Sequence, residues 1–222
     1  MLHHINILLH VTAAIAALII AFFAYGSVKG GARHRLYGRI FVGLMATVVI
    51  TAFNGVLFFI DQPFLTVVTF QSFYYTYSGY RVLKTKDRGP QHIDFIIMLL
   101  VGITTIGFLV YMATMTIKWN MGILYTISGW LLTLIAYDIH RYFYPHLLQV
   151  KSLWLYEHIF KMSGAVAALI SAGMGTVMQF WQPYNQIIPA ILTSLGMVFV
   201  MVYFPRKMKL GNSFVKTHGI NE

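Results

Sequence analysis

The sequence predicts an all-α fold: a polytopic membrane helix bundle of about seven transmembrane helices, forming a single domain over residues 1–222. Three observations predict it. Of the 222 residues, 58% are hydrophobic and only 10% are charged, whereas a soluble domain carries about 25% charged residues. The mean hydropathy is +0.70, so too few polar residues remain to cover a water-facing surface. The apolar residues fall into seven runs, each near or above the roughly 20 residues that cross a bilayer as a helix.

The runs lie at roughly 5–25, 37–60, 63–83, 93–117, 120–140, 153–181 and 185–204. Helices are the economical choice in lipid, because they satisfy their own backbone hydrogen bonds. The apolar-out, polar-in alternation of a barrel is absent. The first run has no basic segment before it and no small-residue cleavage site after it, so it reads as a permanent span rather than a signal peptide. The sixth is longer than the bilayer core needs, which implies tilt or an interfacial first turn. Before it, Arg141-Tyr142-Phe143-Tyr144-Pro145-His146 places aromatics at headgroup level.

Charge orients the bundle. The first connection holds Lys29, Arg33, Arg35 and Arg39, and the third Arg81, Lys84, Lys86 and Arg88. The fifth holds Arg141 and Lys151, and the tail Arg206, Lys207, Lys209 and Lys216. The even connections hold only Lys118. By the positive-inside rule the odd connections and the C-terminus are cytoplasmic and the N-terminus is outside. A net charge of +10 then reflects topology and contact with anionic lipid headgroups at the cytoplasmic face. No recognition motif points to nucleic acid. The chain has no cysteine, which excludes disulfides, thiolate metal sites and a cysteine nucleophile. No G-x-S-x-G elbow or P-loop is present.

Polar groups inside spans are the informative ones, since lipid makes them costly. On the first helix His10 shares a face with Ala14, Ala17 and Ala21, small residues that admit close helix approach. Folding the first hairpin brings His10 level with Asn54, and Gln71 of the third helix lies at comparable depth. These three form an outer polar cluster, either an interhelical hydrogen-bond knot or a ligand or quinone-headgroup site. His34, His92, Asp94, Asp138, His140, His146, Glu157, His158 and Lys161 gather near the inner ends. His34, His92 and His158 stand near the starts of the even helices, 58 and 66 residues apart, the spacing of three related hairpins or of chance. On the sixth helix His158, Lys161, Met162, Ala165, Ala172, Thr176 and Gln179 make one stripe, which suggests a bundle interior. Lys161 either snorkels to the interface or pairs with Glu157 at i,i+4.

Three readings compete for the inner cluster. It is a set of solvated or paired interfacial charges, a haem b or transition-metal site held by imidazoles, or an anion or lipid-headgroup site at converging helix N-termini. The candidate ligands are His10, His34, His140 and His158, with His158 and His140 as the metal pair and Asp138 as the partner of Arg141 or Tyr142. Asp138 and His140 diverge by about 200° around their helix, so at most one easily faces His158.

Two stretches carry a resemblance: His10-Val11-Thr12-Ala13-Ala14 through Lys29-Gly30-Gly31-Ala32-Arg33-His34-Arg35-Leu36-Tyr37-Gly38-Arg39, and Trp154-Leu155-Tyr156-Glu157-His158 through Met162-Ser163-Gly164-Ala165. They resemble an uncharacterised bacterial family of multi-pass membrane proteins that contains a domain of unknown function. The resemblance implies a bacterial inner (plasma) membrane and draws attention to His10, His34, Asp138 and His158, without lending an activity. The expected role is a small redox or metal- or haem-binding membrane protein. The alternative is an accessory or assembly subunit, or a carrier of lipid or small molecules, with quinone or another membrane protein as partner.

Overall fold

A computed structural model describes residues 1–58, 62–115, 120–145 and 153–181, with scattered positions between 184 and 203; the side chains of Asp87 and Gln179 are outside this description. Lys118, His146, Lys151 and the basic tail from Arg206 onward also lie outside the described residues. The described chain is all helical: α1 (Leu2–Gly26), α2 (Ala32–Phe58), α3 (Pro63–Thr85), α4 (His92–Thr114), α5 (Met121–Phe143) and α6 (Leu153–Val177). Short 3₁₀ turns follow at Lys86–Arg88 and Gln179–Trp181. The described positions from 184 to 203 are helical as well.

Local sequence explains the ends. Lys29 reaches back to the Ala24 and Tyr25 carbonyls at 3.0 and 2.6 Å, satisfying orphan acceptors at the end of α1. Gly30 turns the chain at φ +77°, a left-handed conformation that favours glycine. Pro63 occupies the first turn of α3, with Gln62 before it, where a missing N–H does no harm. A capping box starts α4: the Gln91 amide donates to Asp94 Oδ2 at 2.8 Å. The Asn120 side chain accepts from the Ile123 amide to start α5. Within the sixth apolar run the α-helix ends at Val177.

Five of the six helices, all but α3, are long and apolar enough to cross a membrane. The chain is a multi-pass membrane protein. The exception is the centre of the bundle. α3 touches α2, α4, α5 and α6, and its Thr66, Thr69, Ser72, Thr76 and Ser78 are buried. Its polar residues face protein rather than lipid, which is where they are affordable. α1 packs along α2 and touches α6.

The tightest seam joins α3 to α6. A Cβ on Gly79 would stand 2.8 Å from Met162 Sδ, one on Gly164 2.6 Å from the Tyr75 ring, and one on Gly175 2.8 Å from Phe64. These three contacts descend α3 as they climb α6, so the helices are antiparallel. Asn6 on Thr51, His10 on Val48 and His34 on Ala24 give α1 and α2 the same relation. His92 on Tyr142 does so for α4 and α5. The α1–α2, α3–α4 and α5–α6 connections therefore share one end, called here the basic end.

Although α5 and α6 are consecutive, they do not pack along each other; α5 rests on α3 and α4. Side chains bridge the gap, and those side chains are the site.

Candidate functional site: a buried charge cluster beside a lateral cleft

Tyr74, Tyr77 and Arg81 recur at helical spacing on α3 and point toward the basic end of the interior. There they meet Asp94 in the first turn of α4, Tyr137, Asp138 and Arg141 on α5, and Glu157 and Lys161 on α6. The result is three carboxylates, each held by one cation and one tyrosine. Lys161 Nζ donates to both oxygens of Asp138, at 2.7 and 2.8 Å, and the Tyr74 hydroxyl donates to Oδ2 at 2.6 Å. Arg141 Nη2 donates to Glu157 Oε2 at 3.2 Å, and Tyr137 donates to Oε1 at 2.6 Å. Arg141 Nε lies 2.9 Å from Oε1 but is not aligned as a donor. Arg81 grips Asp94 with Nε at 2.6 Å and Nη2 at 3.0 Å, while Tyr77 donates to Oδ1 at 2.8 Å.

Buried charges persist only when paired and hydrogen-bonded. Asp138 is 1% exposed and Lys161 3%, so their pair is sealed from solvent. Lys161 therefore does not snorkel, and its partner is Asp138 rather than Glu157. The rule for i,i+4 pairs describes one helix in isolation. Here α5 supplies an acid and a base at i,i+3, and α6 supplies an acid and a base at i,i+4. Crossing the pairs between helices satisfies all four charges.

Two cavities adjoin the cluster. The first, about 20 Å³, is bounded by Tyr74, Tyr77, Arg81, Asp94, Asp138, Glu157 and Lys161, among others; it is large enough for about one water. The second is a cleft of about 260 Å³ between α5 and α6. Trp130, Leu134, Tyr137, Tyr156 and Phe160 give it apolar walls, and Glu157 and Lys161 line it as well. Trp130 is half exposed, and Thr133 beside it is exposed, so the cleft opens sideways from the bundle. Trp130 is fixed by donating Nε1–H to the Tyr75 hydroxyl at 2.7 Å.

The predicted histidines are dispersed. His10 meets Val48 O at 3.2 Å and Thr51 Oγ1 at 2.9 Å. Asn54 is exposed and Gln71 binds the Tyr75 hydroxyl one turn on, so the contacts of His10 run to Val48 and Thr51 instead. One turn of α2 explains the difference: Thr51 is buried and Asn54 is turned outward. His34 Nδ1 lies 3.1 Å from Ala24 O, and His158 Nδ1 2.9 Å from Gly79 O. These two imidazoles are near enough to interact electrostatically. His140 is exposed on α5, with its ring beside Tyr144, and His92 meets the Tyr142 hydroxyl at 2.6 Å. Among the described residues, no group of three or more His, Asp or Glu side chains is placed to hold a metal ion.

Sequence reasoning named Asp138, Glu157 and Lys161 but missed their tyrosine partners and the Arg141–Glu157 bridge. The available signal was a balance of charge: three acids inside helices, each with a base one turn away or on a neighbouring helix.

The fold and site define a class, a multi-pass membrane helix bundle with a fully paired charge cluster in its interior. No family model, curated protein or solved structure gives a match to the chain.

Proposed function

We propose that the protein binds a lipid-soluble small molecule with a planar ring headgroup, of the quinone class, in the α5–α6 cleft. The observation that carries this reading is the largely aromatic cleft of about 260 Å³, which the stems of the paired Glu157 and Lys161 also line. Ligand sites are mostly apolar, with a few placed polar groups. An apolar cavity of about 150 Å³ accepts benzene, so this one has room for a substituted ring. The ligand's tail leaves through the open side into the bilayer. In the proposed setting the bundle has seven spans in a bacterial inner membrane, with the N-terminus outside and the basic end facing cytoplasmic anionic lipids. The test is binding of a short-chain benzoquinone to the detergent-purified protein, followed by quenching of tryptophan fluorescence. Thr133→Trp, which fills the mouth, should abolish saturable quenching; unchanged quenching refutes the reading.

A second reading rests on His34 and His158. Each imidazole has Nδ1 on a backbone carbonyl of another helix, the arrangement that leaves Nε2 as a metal-binding nitrogen. With no third ligand placed among the described residues, His34 and His158 are the residues that would hold a haem b, which would supply one-electron chemistry. A Soret band in the purified protein, lost in His158→Ala, would favour it. A colourless, metal-free preparation would exclude it.

A further inference from the structure

Asn54 takes no part in the site described above, yet it stands where a side-chain amide is costly. It is exposed on α2 and has no hydrogen-bond partner among the described residues. Its neighbour Phe53 lies against Phe70 and Phe73 of α3, which fixes its depth. Phe70 follows Pro63, the first residue of α3, by seven positions. Asn54 is therefore about 10 Å inside the end of α3 that lies away from the basic end. With 23 residues, α3 is about 35 Å long, against a hydrocarbon core of about 30 Å. The Asn54 amide faces acyl chains rather than headgroups, and there neither its donors nor its acceptor find water.

The threonines on the outer sides of the helices behave differently. Thr12, Thr47, Thr104, Thr126, Thr133 and Thr176 are exposed too. Each donates its hydroxyl to a carbonyl of its own helix one turn earlier, so each is satisfied without a neighbour. Asn54 is not.

The face around Asn54 is shaped for another helix. Gly43, Thr47, Ile50, Asn54 and Leu57 recur at alternating intervals of four and three residues, and all five are exposed. That is the spacing of a coiled-coil seam. A Cβ on Gly43 would have nothing within 4 Å, so Gly43 and Thr47 leave a shallow place where a second backbone can approach closely. The residues that α2 buries within the bundle, Phe41, Met45, Val48 and Thr51 among them, leave this seam unused.

Chemistry selects what covers it. Two copies of one chain carry the same charge bias and insert the same way up. A two-fold axis relating them then runs along the membrane normal, the two α2 helices lie parallel, and each seam residue meets its own counterpart. Two ammonium groups or two carboxylates would repel in such a pairing. A carboxamide carries both donor and acceptor, so two Asn54 side chains can exchange hydrogen bonds. A single asparagine in a seam also fixes its register.

We propose that the protein dimerises in the membrane through this face of α2, with Asn54 of each copy hydrogen-bonded to the same residue of the other. Such a dimer needs no ligand in the α5–α6 cleft, and the cleft needs no dimer.

The test uses the full chain in vesicles of phosphatidylethanolamine and phosphatidylglycerol. The chain has no cysteine, so single cysteines report proximity without background. Under mild oxidation Thr47→Cys and Ile50→Cys should cross-link to a dimer, and Ile103→Cys, at an exposed position of α4, should not. Energy transfer between donor- and acceptor-labelled copies, followed as lipid is added, gives the association constant. Asn54→Leu should lower it about tenfold, the worth of two hydrogen bonds between membrane helices. Asn54→Gln keeps the carboxamide and should restore most of it. Gly43→Leu should also lower it while the protein melts as wild type does. Energy transfer absent at every dilution overturns the proposal, as does cross-linking at Thr47 and Ile50 no faster than at Ile103, or an Asn54→Leu protein that associates as wild type does. Cross-linking of Thr47→Cys in native membranes to a different protein, and not to itself, overturns it too, and gives the face to an unlike partner.

Discussion

Lys161→Met tests whether the buried pair is a structural tie or an incidental contact. Methionine matches the lysine stem in length and keeps its packing. What is lost is one ammonium that makes two short hydrogen bonds to Asp138. The side chains are 3% and 2% exposed, so water cannot replace the missing donor. Tyr74 alone then holds the carboxylate. Removing one partner of a buried pair is destabilising by about 3–5 kcal/mol, whereas a pair at an exposed surface is worth about 0–1 kcal/mol. Burial puts this pair in the first class. The assay is thermal unfolding in detergent, followed by loss of the monodisperse peak, for wild type, Lys161→Met, Asp138→Asn and the double variant. Both single variants should lose about 3–5 kcal/mol. The double variant should recover most of it, because two apolar or neutral groups leave no stranded charge. A loss below about 1 kcal/mol in Lys161→Met, or losses that simply add in the double variant, would refute the claim that the pair is buried and coupled.

Further expectations follow from the helix seams. Gly164→Ala places a methyl 2.6 Å from the Tyr75 ring and should destabilise by about 1–3 kcal/mol through overpacking; Gly43→Ala, with nothing within 4 Å, is the control in the same melting assay. His10→Ala removes contacts to Val48 and Thr51 and should lower stability by about 0.6 kcal/mol and at most about 1.7; outright loss of folding would show that His10 does more than hydrogen-bond. Reporter fusions at each terminus should place the N-terminus outside and the C-terminus in the cytoplasm. A C-terminal fusion active only outside would invert the assignment of the basic end.

Much of the fold was legible because apolar length is a strong signal. The second run begins at the first helical turn only if Ala32–Tyr37 is counted; its arginines hid that turn from a hydropathy reading. α3 was found as a run, and its buried threonines, serines and tyrosines mark it as the central helix. The site was half legible. Asp138, Glu157 and Lys161 stood out as charges in apolar helices, but their pairing depended on which helices touch, and a single sequence does not encode that α5 avoids α6. The carboxylate partners of Tyr74 and Tyr137 were hidden for a different reason. Tyrosine is common at membrane interfaces, so nothing distinguished the two that donate to buried carboxylates.

The gap between α5 and α6 has a physical consequence of its own. In water, the exposed walls around Trp130 and Phe160 would close on each other to escape solvent. In a bilayer that drive is absent, because lipid tails are as apolar as the side chains. A cleft there persists at little cost, and the two ion pairs across it fix its width beside Glu157 and Lys161. Stability and ligand binding should therefore separate in one variant. Replacing Arg141 and Glu157 together by leucine and methionine removes a bridge whose loss as a pair is often neutral or stabilising, by about 1–4 kcal/mol. The cleft keeps its aromatic walls but loses the Glu157 carboxylate beside it. Thermal unfolding should be unchanged or improved, while saturable quenching by a short-chain benzoquinone should weaken at least tenfold. If that variant binds as wild type does, the ring is held by Trp130, Tyr156 and Phe160 alone, and Glu157 has no part in recognising its head.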